Sequence, residues 1–355
     1  MLFSYIKNPL RNDRIGLMPA IDKYLSYIFE NGFSDLHVVP NVPVIGRLDG
    51  DLIRISTDQF DAKTLDTILY EIISVDEKDH LKKHSNVDFS YEISGVSRFR
   101  VNYYFHSGGL GATFRVIPVK IPTISELGLN ESILESTQYK NGLVLVTGPT
   151  GSGKTSTLAA LLNYINTNRP DHIITIEDTI EFIHSNNLKG LVSQREVGKH
   201  TKSFSSALRS ALREDPDVIM VGEMRDMETI ELAITAAETG HLVFASLHTN
   251  SASKTIDRLV DVFPDEGKDE IRTLLADTLR AVISQVLVKK IGGRGRLPVQ
   301  EIMFVNHAVS NLIREGKSYQ IEDVIQTSPN EGMLLMKNEM DRLNNEKKIG
   351  IESIY

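Results

Sequence analysis

Gly148-Pro149-Thr150-Gly151-Ser152-Gly153-Lys154-Thr155 lies between an apolar run, Leu143-Val144-Leu145-Val146, and a helix-like run from Ser156 to Ile165. The order strand, glycine loop, helix, with the spacing G-x-x-x-x-G-K-T, is that of a nucleoside-triphosphate phosphate loop. Phosphate oxygens need many donors at short range, and Gly148, Gly151 and Gly153 let backbone N–H groups turn inward without an obstructing Cβ. The helix that follows aims its positive end at the anion. Lys154 can reach the outer phosphates and the Thr155 hydroxyl can ligate Mg²⁺. The stretch 148–155, with Pro149, Thr150, Ser152 and the following Ser156 included, is therefore the candidate nucleotide-binding set.

The length of 355 residues allows two domains. Composition is that of a globular protein, with 41% hydrophobic and 24% charged residues. The balance of 39 basic to 47 acidic side chains argues against a broad nucleic-acid surface. There is no cysteine, which excludes disulfides and a thiolate zinc site. No run reaches the roughly 18–20 apolar residues needed to span a bilayer, and Met1–Leu10 is too short and polar for a secretory segment. A cytoplasmic protein without direct membrane insertion is expected.

Upstream of the loop, residues 1–18 read as an extension. Ile21, Tyr24, Leu25, Ile28 and Phe29 recur at helical spacing up to Gly32. Strand-like pieces follow at 35–39, 44–47 and 52–55, with Asp49-Gly50 as a hairpin turn. Helices are expected over 58–73 and 76–84, then strands over 87–93, 97–106 and 110–117. This is an α+β domain over 19–116. Ile117-Pro118-Val119-Lys120-Ile121-Pro122 reads as a linker, its prolines favouring extended backbone. Beyond it, apolar runs at 143–147, 172–176, 218–221 and 242–246 alternate with helices, the pattern of a parallel sheet with ligand loops at its carboxyl edge. A helical tail is expected from Lys268 to about Lys289 and from Asn306 onward.

Three of these runs end in chemistry. Ile173–Ile176 leads into Glu177, Asp178 and Glu181, carboxylates that can hold Mg²⁺ or orient water. Val218–Val221 leads through Gly222 to Glu223, a Walker B pattern whose acid serves Mg²⁺, usually through water. Leu242–Leu247 is flanked by His241 and His248, and His248 stands at the carboxyl edge. In the first domain, Arg98 and Arg100 share one strand face; with Arg115 they can be surface charges or arginines supplied to another subunit's phosphate.

Taken together, the phosphate loop, the acidic stretch 177–182, Arg213–Asp217 with Gly222–Asp226, Thr235–His241, Ser34-Asp35-Leu36-His37, Arg47–Gly50 and Ala308–Glu315 resemble the secretion ATPase superfamily. They are most similar to its type IV pilus retraction ATPases. The resemblance runs from about 19 to 345; Thr179 stands where the family usually has proline. It implies an α/β fold, with a RecA-like P-loop ATPase domain over 123–355 after a smaller N-terminal α+β (PAS-like) domain. It implies ATP and Mg²⁺ as ligands, Lys154 and Thr155 on phosphate and metal, and Glu181 as catalytic base or water orienter. Glu223 would be the Walker B acid and metal carboxylate, His241 and His248 a histidine box, and Arg100 and Arg115 arginines reaching a neighbour's nucleotide. The implied assembly is a homohexamer at the cytoplasmic face of the inner membrane, working on a pilus platform protein beside the assembly ATPase. Its implied work is pilus disassembly for twitching motility. An assembly or secretion ATPase is the alternative, opposed by the missing cysteines of the usual zinc module. A nucleic-acid translocase, needing a basic aromatic pore, is the third reading; the chain has no tryptophan.

Overall fold

A computed structural model describes residues 19–117, 120–186, 188–292 and 295–350. The extension 1–18 and the linker residues Pro118 and Val119 lie outside them. Contacts divide the chain between Val119 and Lys120 into two compact units.

In the first unit, α1 (Asp22–Glu30) buries Tyr24, Leu25 and Ile28, the positions its spacing marks. The strands are β1 (Asp35–Val38), β2 (Pro43–Leu48), β3 (Asp51–Gln59), β4 (Asn86–Ile93), β5 (Ser97–His106) and β6 (Gly109–Ile117), separated after β3 by α2 (Ala62–Tyr70) and α3 (Val75–His84). They form one antiparallel sheet in the order β3-β2-β1-β6-β5-β4. Asp49 and Gly50 both take positive φ, as a tight hairpin between twisted strands requires. The helix expected from residue 58 begins later. β3 runs on to Gln59, paired with Pro43, and Asp61 caps α2 by accepting the Thr64 N–H.

Strand β5 alternates cleanly, burying Phe99, Val101 and Tyr103 and turning Arg98, Arg100 and Asn102 outward. The core so formed is aromatic. Tyr103 meets Phe89 and Phe114 edge-on, and its buried hydroxyl donates to the Leu69 carbonyl at 3.0 Å.

The second unit contains β7 (Gly142–Thr147), α4 (Lys154–Asn168), β8 (His172–Glu177), β9 (Leu191–Glu196), α5 (Phe204–Ala211), β10 (Val218–Val221), α6 (Met227–Glu238), β11 (Leu242–Leu247), α7 (Ala252–Asp261), α8 (Lys268–Thr278), β12 (Leu279–Lys289) and β13 (Arg296–Phe304). Three further helices, α9 (His307–Arg314), α10 (Ile321–Thr327) and α11 (Met336–Asn345), complete it. The sheet order is β13-β12-β7-β11-β10-β8-β9, all parallel except β13. Every residue of β7, β10 and β11 is buried, which is why they read as unbroken apolar runs rather than alternating ones.

One expectation is overturned. The helix expected from Lys268 to about Lys289 ends at Thr278, and Leu279–Lys289 is strand β12, paired with β7 on one side and β13 on the other. Ala281-Val282-Ile283 is buried whichever way it faces, so its hydrophobicity carries no period with which to tell strand from helix. Tertiary pairing decides it. Among the described residues no helix is long and apolar enough to cross a membrane.

Replacing Tyr103 by Phe leaves the Leu69 carbonyl without its buried donor. Stability of the first unit should fall by about 1–2 kcal/mol, read as a lower urea midpoint with an unchanged slope.

Candidate active site

Because β7, β11, β10 and β8 are parallel neighbours, the segments that follow them emerge along one edge of the sheet. In spatial order these are the phosphate loop, His248, Glu223 and the acidic loop that starts at Glu177.

The phosphate loop is shaped by β12. Gly148 has φ +144°, and a Cβ there would stand 2.1 Å from the Gln285 carbonyl oxygen of β12. At Gly153, φ is +89° and a Cβ would stand 2.8 Å from the Gln285 amide nitrogen. Gln285 is buried; its Nε2 donates to the Ser152 carbonyl at 2.7 Å and its Oε1 accepts from the Thr157 hydroxyl at 2.9 Å. One side chain thus ties the loop to the first turn of α4 from below. That helix starts without a side-chain cap, which leaves its first N–H groups for an anion. Lys154 Nζ lies across the loop, donating to the carbonyls of Gly148 at 2.7 Å and Pro149 at 3.1 Å. Burial draws its pKa below the ordinary lysine value, and the Glu223 carboxylate opposes that pull. Thr155 and Ser156 follow in the same turn, both half-buried.

Glu223 sits past Gly222 for a steric reason. A Cβ on Gly222 would come 3.1 Å from the Ile176 carbonyl oxygen and 3.3 Å from Glu177 Cα, so β10 runs tight against β8 there. The Gly222 N–H donates to that same carbonyl at 2.7 Å. The acid is the next residue. Its two oxygens face Arg225 Nη2 at 2.7 Å and His248 Nε2 at 2.8 Å. The Arg225 hydrogen bond, with His248 adding to it, holds Glu223 below the usual carboxylate range.

Of the three acids at and after the end of β8, Glu177 turns into the protein, Asp178 is exposed and Glu181 is half-buried. Burial pushes Glu177 up to about 7, against hydrogen bonds from Thr175 and Gln194. His241 is not brought to this edge. It precedes β11 at the opposite edge, its Nδ1 3.0 Å from the Ala236 carbonyl, because a parallel strand starts where its neighbours start. Arg100 and Arg115 belong to the first unit. They are directly opposed on β5 and β6, on the outward face, and Arg115 Nε donates to the buried Asp35 carboxylate at 2.8 Å.

Gln285 escapes sequence reading; its only signal is an amide inside an apolar run. His184 escapes as well. It is buried, with Nδ1 lacking a partner among the described residues.

The phosphate loop, the acid past the neighbouring strand and the flanking parallel sheet define a RecA-like phosphate-loop ATPase. The chain belongs to the type II/IV secretion system protein family, whose model matches residues 11–345, and within it to the type IV pilus retraction ATPases. It is 52% identical over 313 residues to the type IV pilus retraction ATPase PilT of Pseudomonas aeruginosa, covering 88% of this chain and 90% of that one. To a twitching motility protein of Neisseria gonorrhoeae it is 49% identical over 297 residues, covering 84% and 79%. A crystal structure of the pilus retraction motor PilT with bound ADP superposes with a TM-score of 0.86 at 42% identity, covering 95% of this chain and 96% of that one.

Gln285→Ala should leave the Ser152 carbonyl without its side-chain donor and the Thr157 hydroxyl with the Gly153 carbonyl alone. Nucleotide affinity should fall about tenfold, measured by titration with a fluorescent ADP analogue. A second expectation concerns acid. Unfolded His184 takes up its proton near pH 6.5, whereas the folded residue, disfavoured as a cation by burial, does so only near pH 4. The stability this site contributes is complete above pH 6.5 and is lost as pH falls toward 4, on the order of 2 kcal/mol by pH 5. Urea titrations at pH 7 and 5 should show that loss in the wild type and a smaller one in His184→Leu.

Proposed function

We propose that this chain is a hexameric motor that hydrolyses ATP to retract a type IV pilus at the cytoplasmic face of the inner membrane. The observation that carries the proposal is the convergence of the phosphate loop, the Glu223–His248 pair and the Glu181 loop on one sheet edge, in a chain of the retraction family. The loop amides and Lys154 bind the β- and γ-phosphates. Thr155 and Glu223 offer hard oxygen donors, one of them a carboxylate held ionised, which suits Mg²⁺ at this position directly or through water. When bound, Mg²⁺ neutralises charge on the phosphate oxygens. Glu181 orients the water whose oxygen bonds to the γ-phosphorus as the bond to the bridging oxygen breaks and ADP departs. Lys154 faces the charge that builds on the transferred group. Arg100 and Arg115 act on the nucleotide of the neighbouring subunit, and Asp35 sets the direction of Arg115. The motor's work is delivered to an inner-membrane platform protein.

Glu181→Gln and Glu223→Gln should bind ATP with near wild-type affinity and lose turnover by about a hundredfold or more. Lys154→Ala should lose binding as well. In cells, a deletion strain should be over-piliated and non-twitching, and the Lys154→Ala gene should fail to restore twitching. A strain without surface pili would indicate an assembly ATPase instead.

A further inference from the structure

Glu181 is carried by a loop, and a carboxylate that must place a water molecule needs that loop held still. The holding comes from β9, the edge strand beside β8. Gln194 and Glu196 stand two apart and share a face. Gln194 Oε1 accepts from the His184 N–H at 2.9 Å, and its Nε2 donates to the Phe182 carbonyl at 2.8 Å and to Glu177 Oε1 at 3.1 Å. Glu196 Oε2 accepts from the Ile180 N–H at 3.1 Å, while its Oε1 pairs with Lys199 at 2.6 Å. The backbone is thus fixed immediately before Glu181 by one side chain and immediately after it by the other. Further out, Asn166 of α4 donates to the Ser185 carbonyl at 2.8 Å, and Phe182 is buried with Ala159 of α4.

The chemistry at position 194 is particular. The loop presents one N–H and one carbonyl to the same side chain, and Glu177 presents an acceptor. Only a carboxamide offers an acceptor and two donors from one planar end. A glutamate there would have no donor for the Phe182 carbonyl and would set a second carboxylate against Glu177.

We propose that Gln194, supported by Glu196, is a positioning residue for ATP hydrolysis. It fixes the backbone flanking Glu181 and so the place at which the Glu181 carboxylate meets the attacking water. The inference rests on the reading of Glu181 as the water-orienting group. Gln194 touches no reacting atom; it acts through geometry, where a displacement of about 1 Å costs about a hundredfold in rate.

The test uses the full chain. Steady-state ATPase, nucleotide affinity by fluorescent-analogue titration and thermal midpoint are compared for Gln194→Ala, the shape-preserving Gln194→Glu, Glu181→Gln and the double variant Gln194→Ala/Glu181→Gln. Both Gln194 variants should lose kcat by about thirtyfold while affinity stays within about threefold of wild type. In the double variant, residual turnover followed over hours should match that of Glu181→Gln alone, because a group that acts through Glu181 has nothing left to position. Wild-type kcat in both Gln194 variants, beside an inactive Glu181→Gln, would overturn this inference and leave the role of Glu181 standing. A loss of affinity equal to the loss of kcat, or multiplicative losses in the double variant, would make Gln194 merely structural. Normal turnover in Glu181→Gln would remove the parent reading instead. Gln194→Glu keeps the experiment decisive if the alanine variant fails to fold.

Discussion

The shape of the phosphate loop depends on a hydrogen-bonded amide from a distant part of the chain. Three of its residues are glycines, chosen so that nothing projects, and such a segment does not define its own conformation. Gln285 supplies the definition from β12, with one bond to the Ser152 carbonyl and one from the Thr157 hydroxyl. Beside it, Ser284 and Thr147 bring their hydroxyls to 2.8 Å, fastening β12 to β7 where the loop begins. The sheet order follows from this requirement. β12 must lie against β7, and β13 then closes the open side of β12. The stretch after residue 279 is therefore part of the nucleotide site's foundation rather than a tail.

Two acids at adjacent strand ends are pushed in opposite directions. Glu223 is kept ionised by Arg225 and His248. Glu177, one strand away, is driven by burial toward the neutral form and is occupied with Thr175 and Gln194. Such a split allots different tasks to chemically similar groups. Glu223 faces Arg225 and His248, and Glu177 joins β8 to β9 and the loop that carries Glu181.

Local patterns made much of this legible. The phosphate loop, the apolar runs of β7, β8, β10 and β11, the helix at 21–30 and the outward arginines of β5 each leave a short-range signature of spacing or alternation. What the sequence hid is what long-range pairing decides. β12 is buried on both faces and β9 is short and mixed in polarity, so neither shows a period. Gln194 and Gln285 look like ordinary polar residues until the strands that carry them are placed. His241 looked like a partner of His248 because only six residues separate them, yet they are extended residues and span the sheet from edge to edge.

The uneven placement of aromatic residues has an optical consequence. The chain has 11 tyrosines and no tryptophan. Among the described residues the buried tyrosines, Tyr24 and Tyr103, both lie in the first unit, whereas in the second Tyr139 is partly buried and Tyr164 and Tyr319 are exposed. Tyrosine circular dichroism in the near ultraviolet arises from rings held in asymmetric packing, so that band belongs chiefly to the first unit. The far-ultraviolet band is shared by both. The chain therefore carries a built-in, label-free means of following the melting of one unit apart from the other.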